Sequence, residues 1–262
     1  MTETDWVIGR NGEGAAVVRY LPGERAGRPW ADLLEVVDGS GGTDPVEFVR
    51  TEMAGWVVSG TAELGRALLD HGATVLRHAH VMRRDLVVDA PPADWAGAPL
   101  RDGLRAVPCD RAPEEVFAAW RAAFAPGHPD HFAGDDRQAL AERLTPLLAG
   151  EVIGPVLPSS LLAVDADDRV VAGLILTHRD GVPWVGDVFR HPELGYRGLG
   201  ADLLRLTVAD AAERGLAEVQ LAVTEGNPAR RLYASLGFEL LTTALTVIVP
   251  EQEQAPARSN IP

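Results

Sequence analysis

A glycine-studded turn between a predicted strand and a predicted helix constrains this chain's fold more than any other feature. The segment reads Val188-Phe-Arg-His-Pro-Glu-Leu-Gly-Tyr-Arg-Gly-Leu-Gly-Ala-Asp202. The apolar run Trp184 to Arg190 leads into it. Beyond it, Leu199, Leu203 and Leu206, with Leu204, Val208 and Ala211, recur at helical spacing from about Gly198 to Arg214. Gly215 stands where a C-cap glycine belongs, and a strand from Glu218 to Val223 follows at once. Strand, helix and strand at this spacing make a βαβ unit with parallel strands. Gly195, Gly198 and Gly200 let the backbone turn tightly and approach a ligand. A helix starting there offers free N–H groups and the positive end of its dipole, a cradle for a pyrophosphate, and Arg197 adds charge.

The surrounding pattern fits a mixed α/β sheet. Gly103 to Val107 reads as a short strand closed by Pro108, and Pro113 to Phe124 as a helix with Val116, Trp120 and Phe124 on one face. Asp135 to Ala149 reads as a second helix, ending before Gly150. The apolar runs Ser160–Asp165, Val170–Thr177 and Trp184–Arg190 are separated by short turns, which predicts an antiparallel meander. Asn227-Pro228 predicts an N-cap and first helical residue, for a helix that stops at Gly237, and Phe238–Val249 reads as a closing strand.

Composition removes several functions. All 24 basic residues are arginine, so a P-loop, a Schiff-base lysine and a lysine general base are excluded. With abundant Ala, Gly and Pro, this is the composition of a GC-rich bacterial gene. The net charge of −14 opposes nucleic-acid binding and favours cationic ligands such as amines. Cys109 is the single cysteine, so neither an internal disulfide nor a cysteine metal cluster forms. No apolar run approaches the about 18 residues of a membrane span, and Met1–Arg10 lacks a signal-peptide pattern, so a cytoplasmic protein is expected.

At Gly195-Tyr-Arg-Gly198-Leu-Gly200 the chain resembles the Arg/Gln-x-x-Gly-x-Gly/Ala signature of the GNAT superfamily of CoA-dependent N-acyltransferases, with Gly195 in place of the first Arg or Gln. Downstream, Asn227-Pro-Ala-Arg-Arg-Leu-Tyr233-Ala-Ser-Leu-Gly-Phe238 is similar to the family's Asn…Leu-Tyr-x-x-x-Gly-Phe helix. The resemblance covers about residues 100–250 and implies a GNAT-like fold acting on acetyl-CoA without a metal. It implies that Val188, Phe189 and Arg190 meet the pantetheine arm, with Asn227 on its other side. Backbone amides of Tyr196, Arg197, Gly198, Leu199, Gly200 and Ala201, with Gly195 opening the turn, would hold the pyrophosphate. The acceptor would be a small-molecule or protein amine, and the protein a monomer or homodimer.

The chemistry sets its own requirements. An alkyl ammonium, with pKa ~10.4, must lose a proton before attack, and Asp187, Glu193 or a water relay is the candidate base. The oxyanion needs a donor, for which a backbone N–H near Val188 is suited. The departing thiolate gains from an acid, the role that the resemblance gives Tyr233. Two further functions stand beside this one: a non-catalytic acyl-CoA sensor or structural module, and a dinucleotide-binding oxidoreductase. Leu203 at the third glycine position and the preceding meander oppose the oxidoreductase. His128-Pro-Asp-His131 sits where the family builds its acceptor pocket and reads as a loop or substrate contact before it reads as a metal site. Cys109 reads as inert, and His78 and His80 as surface-facing on a strand.

An internal repeat organises the rest. Val58, Arg66, Gly72, Leu76 and Ala79 match Val223, Arg231, Gly237, Leu241 and Ala244 at a constant offset of 165. Ala62 then stands opposite Asn227 and Leu68 opposite Tyr233. Residues 1–90 are therefore expected to be a degenerate or accessory copy serving structure, substrate enclosure or pairing. The Pro/Ala-rich residues 91–101 read as a linker, 102–250 as the acyltransferase domain and 251–262 as a disordered tail.

Overall fold

The computed structural model describes residues 6–25, 27–38, 42–101, 103–179 and 181–251. The predicted tail lies, apart from Glu251, outside them. In chain order the first elements are β1 (Val7–Arg10), β2 (Ala16–Arg25), β3 (Arg28–Val36), α1 (Pro45–Glu52), β4 (Val57–Thr61), α2 (Ala62–Asp70) and β5 (Thr74–Asp85). Next come β6 (Arg105–Pro108), α3 (Pro113–Ala123), α4 (Asp136–Ala139), α5 (Thr145–Leu148), β7 (Leu161–Val164), β8 (Val170–Arg179) and β9 (Val182–Arg190). The chain closes with α6 (Leu199–Glu213), β10 (Glu218–Thr224), α7 (Ala229–Ser235) and β11 (Glu239–Ile248). Two compact units emerge: Met1–His80 with Thr242–Pro262, and Val81–Leu241.

In the first unit, β1–β2 and β2–β3 are antiparallel, β3–β4 are parallel, and β4 pairs antiparallel with β11 from the end of the chain. Its core gathers Val17, Leu34, Phe48, Leu68 and Val247. His80 is buried here rather than surface-facing, with Nδ1 3.0 Å from Thr243 Oγ1. A strand residue faces the core or solvent according to its register, and the sequence around His80 does not fix which.

In the second unit, β7 to β9 form the expected antiparallel meander, β6 adds an antiparallel edge strand beside β7, and β9–β10 are parallel, as the βαβ spacing requires. Helix α6 lays Leu199, Leu203, Leu204 and Val208 on one face of the sheet. Val116 and Trp120 of α3, with Leu144 and Leu147, cover the other. Because both faces are covered, every residue from Val170 to Thr177 in β8 is buried, which explains the unbroken apolar run.

Two local differences from the expectation have backbone causes. The helix predicted over 135–149 is α4 and α5 joined by a π-helical turn, Leu140–Leu144, in which Thr145 N–H reaches Leu140 O. Pro146 lacks an N–H and crowds the preceding turn, so the ladder changes register ahead of it. The strand expected over 103–107 is β6, which starts at Arg105 and extends through Pro108, as an edge strand tolerates. Between β5 and β6, the Pro/Ala-rich stretch packs on the second unit: Ala93–Trp95 form a 3₁₀ turn and the buried Arg84 guanidinium lies 5.0 Å from the Trp95 ring.

The repeat is present in the elements themselves. Helix α2 ends at Asp70 and α7 at Ser235, β5 starts at Thr74 and β11 at Glu239, all at the offset of 165. Gly72 (φ +90°) and Gly237 (φ +82°) occupy the same left-handed position, which glycine adopts without a Cβ penalty.

Candidate active site

The site begins with a break in the sheet. Ile175 lies opposite Asp187 but Leu176 opposite Val185, so Gly186 is an extra residue that bulges β9. A Cβ at Gly186 would stand 3.1 Å from Leu147 Cδ1, so the bulge is tightly lined. Strand β10 pairs with β9 only through Trp184 and Val185, just before the bulge. From Gly186 onward the two parallel strands have no ladder between them among the described residues. Backbone groups on such an edge need a partner, and an extended ligand arm can supply it. Phe189 is buried with its ring over Gly173, so only its backbone can face this gap, while Val188 and Arg190 are half-buried.

The turn after β9 opens α6. Gly198 is the N-cap at φ +98°, a left-handed conformation that suits glycine and offers no capping side chain. Tyr196 N–H donates to Glu193 O (3.1 Å) and Ala201 N–H to Gly198 O (2.9 Å), so the two ends of the expected cradle are engaged internally. The amides of Leu199 and Gly200 have no hydrogen-bond partner among the described residues. Leu199 is fully buried and can serve a ligand only through its backbone. A Cβ on Gly200 would lie 3.5 Å from Val188 Cγ1, which sets the turn directly against β9. Gly195 and Arg197 are exposed. An anion fits this arrangement: free amides and the positive end of the helix dipole meet without a carboxylate cap, with Arg197 in the same turn.

Across the gap stands Tyr233 on α7. Burial, then the carboxylates of Asp187 and Asp130, hold its phenol well above the usual tyrosine range. Asp187 accepts the Trp120 indole N–H at 2.7 Å. Asp130 accepts from Thr224 Oγ1 (2.6 Å) and Asn227 Nδ2 (3.3 Å). Asn227 Oδ1 accepts Ala229 N–H at 2.9 Å, while the N-cap position itself is Pro228, one residue later than expected. The structure thus brings together Tyr233, Asp187 and Asn227 of the residues singled out above. Glu193 is elsewhere: it is exposed, 3.7 Å from His191, and is not among the carboxylates acting on Tyr233.

Sequence reasoning passed over Asp130 as an individual residue. The flanking histidines shape its loop: Asp130 N–H donates to His128 Nδ1 (3.1 Å) and His131 Nδ1 donates to Phe124 O (2.6 Å). Arg121 ties the same loop down through Phe132 O (2.9 Å) and Gly134 O (2.8 Å). Asp130 becomes visible only when the fold sets Thr224 and Asn227 beside it. Cys109 is half-buried, and burial with Asp110 pushes its thiol up to about 11, which makes it a poor nucleophile.

Residues 115–238 match the model of the acetyltransferase (GNAT) family. Over that stretch the chain is similar to the GNAT family. The fold extends the likeness to most of the chain. A GCN5-related N-acetyltransferase from Sphaerobacter thermophilus is 22% identical with a TM-score of 0.59, over 93% of this chain and 79% of that one. One from Kribbella flavida is 21% identical with a TM-score of 0.54, over 90% and 88%. A tandem GNAT protein from the clavulanic acid biosynthesis pathway is 17% identical with a TM-score of 0.59, over 94% and 83%. No curated protein matches the sequence. The mixed α/β GNAT fold therefore recurs in this chain in the tandem form that the internal repeat implied.

Proposed function

We propose that the second unit moves an acyl group, acetyl in the first instance, from coenzyme A directly to an amine. The observation that carries this reading is the convergence of Tyr233, Asp187 and Asp130 on the gap between β9 and β10, next to the open N-terminus of α6. Backbone groups of Val188, Phe189 and Arg190 line one side of a channel for the pantetheine arm, and Asn227 the other. The turn from Gly195 through Arg197, Gly198, Leu199 and Gly200 receives the pyrophosphate, flanked by Tyr196 and Ala201.

The bound thioester supplies an activated acyl carbon. Asp187, its carboxylate aimed by Trp120, takes the proton from the acceptor ammonium and leaves a neutral amine. The amine nitrogen bonds to the acyl carbon, and a β9 backbone N–H near Val188 stabilises the oxyanion. As the C–S bond breaks, Tyr233 O–H protonates the departing sulfur, a role that a phenol held protonated can fill at neutral pH, and the surplus proton on the new amide nitrogen passes through water to the tyrosinate, which restores the phenol. Asp130 adds negative charge on the acceptor side and draws in a cation.

The test is thiol release from acetyl-CoA over a panel of mono- and diamines, amino acids, aminoglycosides and peptides with free N-termini. Amine-dependent release, lowered about a hundredfold in Tyr233→Phe, supports the reading. Tight acetyl-CoA binding with no release for any amine would replace it with an acyl-CoA sensor.

A further inference from the structure

We infer that Arg101 is a positioning residue for the pyrophosphate turn, supplied from outside the stretch that matches the family model. This inference rests on the proposed function and concerns the same site. Arg101 Nη1 donates to Gly195 O at 2.9 Å, and Nη2 donates to Arg197 O. One guanidinium therefore holds two carbonyls of the turn, in the forked geometry that arginine presents rigidly. A Cβ on Gly198 would stand 3.1 Å from the same Nη2, so the guanidinium packs flush on the N-cap residue of α6.

The consequence follows from peptide geometry. In a trans peptide the C=O and the next N–H point in opposite directions. Turning Arg197 O toward Arg101 turns Gly198 N–H away from it, alongside the unpartnered amides of Leu199 and Gly200. Carbonyl oxygens are also withdrawn from the place where an anion would sit, and a full positive charge is added at the positive end of the α6 dipole. The sequence carries Gly195 where the family signature has Arg or Gln, so the turn's own first position brings no cation. Arg101 restores one from a segment 94 residues earlier. Neighbouring residues explain why it reaches: Leu100 and Leu104 pack against the α6 core cluster and hold the backbone on both sides of Arg101.

The experiment compares wild type with Arg101→Ala, Arg101→Gln and Arg101→Lys using two acyl donors. Acetyl-CoA carries the pyrophosphate, and S-acetyl-pantetheine lacks it. Arg101→Ala is expected to raise the acetyl-CoA Kd and KM about tenfold or more, as loss of a charge-assisted hydrogen-bond pair does. The kcat, the amine KM and turnover of S-acetyl-pantetheine should stay within about twofold. Arg101→Lys should recover part of the acetyl-CoA affinity and Arg101→Gln less, with the wild-type dependence on salt weakened in both Ala and Gln variants. Equal acetyl-CoA affinity in wild type and Arg101→Ala would overturn the inference, as would an equal loss with both donors, which would mark a merely structural role. Should Arg101→Ala misfold, Arg101→Gln and Arg101→Lys carry the same comparison. Failure of wild type itself to bind acetyl-CoA would overturn the proposed function and this inference together.

Discussion

The two units run through the same succession, strand, helix, strand, helix, strand, yet they treat its ligand-facing points in opposite ways. In the second unit, α6 opens on a bare glycine, and β9 and β10 part after two paired residues. In the first, α1 opens on Asp44, whose carboxylate accepts Val46 N–H at 3.0 Å and so places the helix's anion within the chain. There β3 and β4 pair at Trp30 and Ala31 and again at Leu34, across their own irregularity, so no gap remains. The Trp30 indole N–H and Thr246 hydroxyl both meet Ser59, at 2.9 and 2.8 Å, tying that interior together. Leu68 takes the place of Tyr233 and is wholly core. Among the described residues the first unit also has no counterpart of α3 and the Asp130 loop. The two units thus differ in whether the helix N-terminus and the parallel strand pair are left open, and the proposed function places the site where both are.

The strongest way to break this contrast is at the two helix starts. Gly198→Val puts a β-branched residue at φ +98° and a Cβ against Arg101, and acetyl-CoA binding should fall about a hundredfold or more by calorimetry. Asp44→Ala should lower stability by about 1 kcal/mol and leave acetyl-CoA binding unchanged. Next in size is the Tyr233 position. Tyr233→Phe should cut kcat about a hundredfold with acetyl-CoA affinity retained, read by stopped thiol-release assays beside direct titration. Its counterpart Leu68→Ala should instead lower unfolding free energy by about 2–5 kcal/mol in urea and spare the kcat of the folded enzyme.

The pH profile sharpens the role of Tyr233. A raised pKa keeps the phenol protonated, and therefore able to donate, through the ordinary tyrosine value of about 10. No alkaline fall in kcat assignable to the phenol is expected below that pH in wild type. In Asp130→Asn one of the carboxylates that raises the phenol is gone, so the alkaline limb should move to lower pH, and the KM of a cationic amine should rise. A wild-type limb below pH about 9 would contradict the assignment. The smallest effect is expected at Cys109: with its thiol near 11, labelling by a disulfide reagent at pH about 8 should be slow until the protein is unfolded, and Cys109→Ser should turn over as wild type does.

Features set by local sequence were legible before the structure. The periodicity of Leu199–Ala211, the glycines of the turn and the apolar runs flanked by short turns all state their conformation within a few residues. Tyr233 and Asn227 were reached through a motif at the right distance. What stayed hidden depends on residues far apart in the chain. Asp130 meets Thr224 and Asn227 across 94 and 97 positions, and in the sequence its two histidines drew the eye instead. Arg101 sits in a stretch whose prolines and alanines read as a linker, yet its side chain reaches the glycine turn. The cap on α1 was likewise invisible in the repeat, because a constant offset aligns α2 with α7 and leaves α1 unaligned. Gly39-Ser40-Gly41, a Gly-x-Gly ahead of α1, lies outside the described residues.

The central claim, one open site and one sealed copy in a single chain, is tested most directly by the stoichiometry of acetyl-CoA binding. Calorimetric titration of the intact protein, with NAD as control ligand, should give one site per chain, no heat with NAD, loss of the site in Gly198→Val and its retention in Asp44→Ala. Two sites per chain, or binding that survives Gly198→Val, would contradict the account.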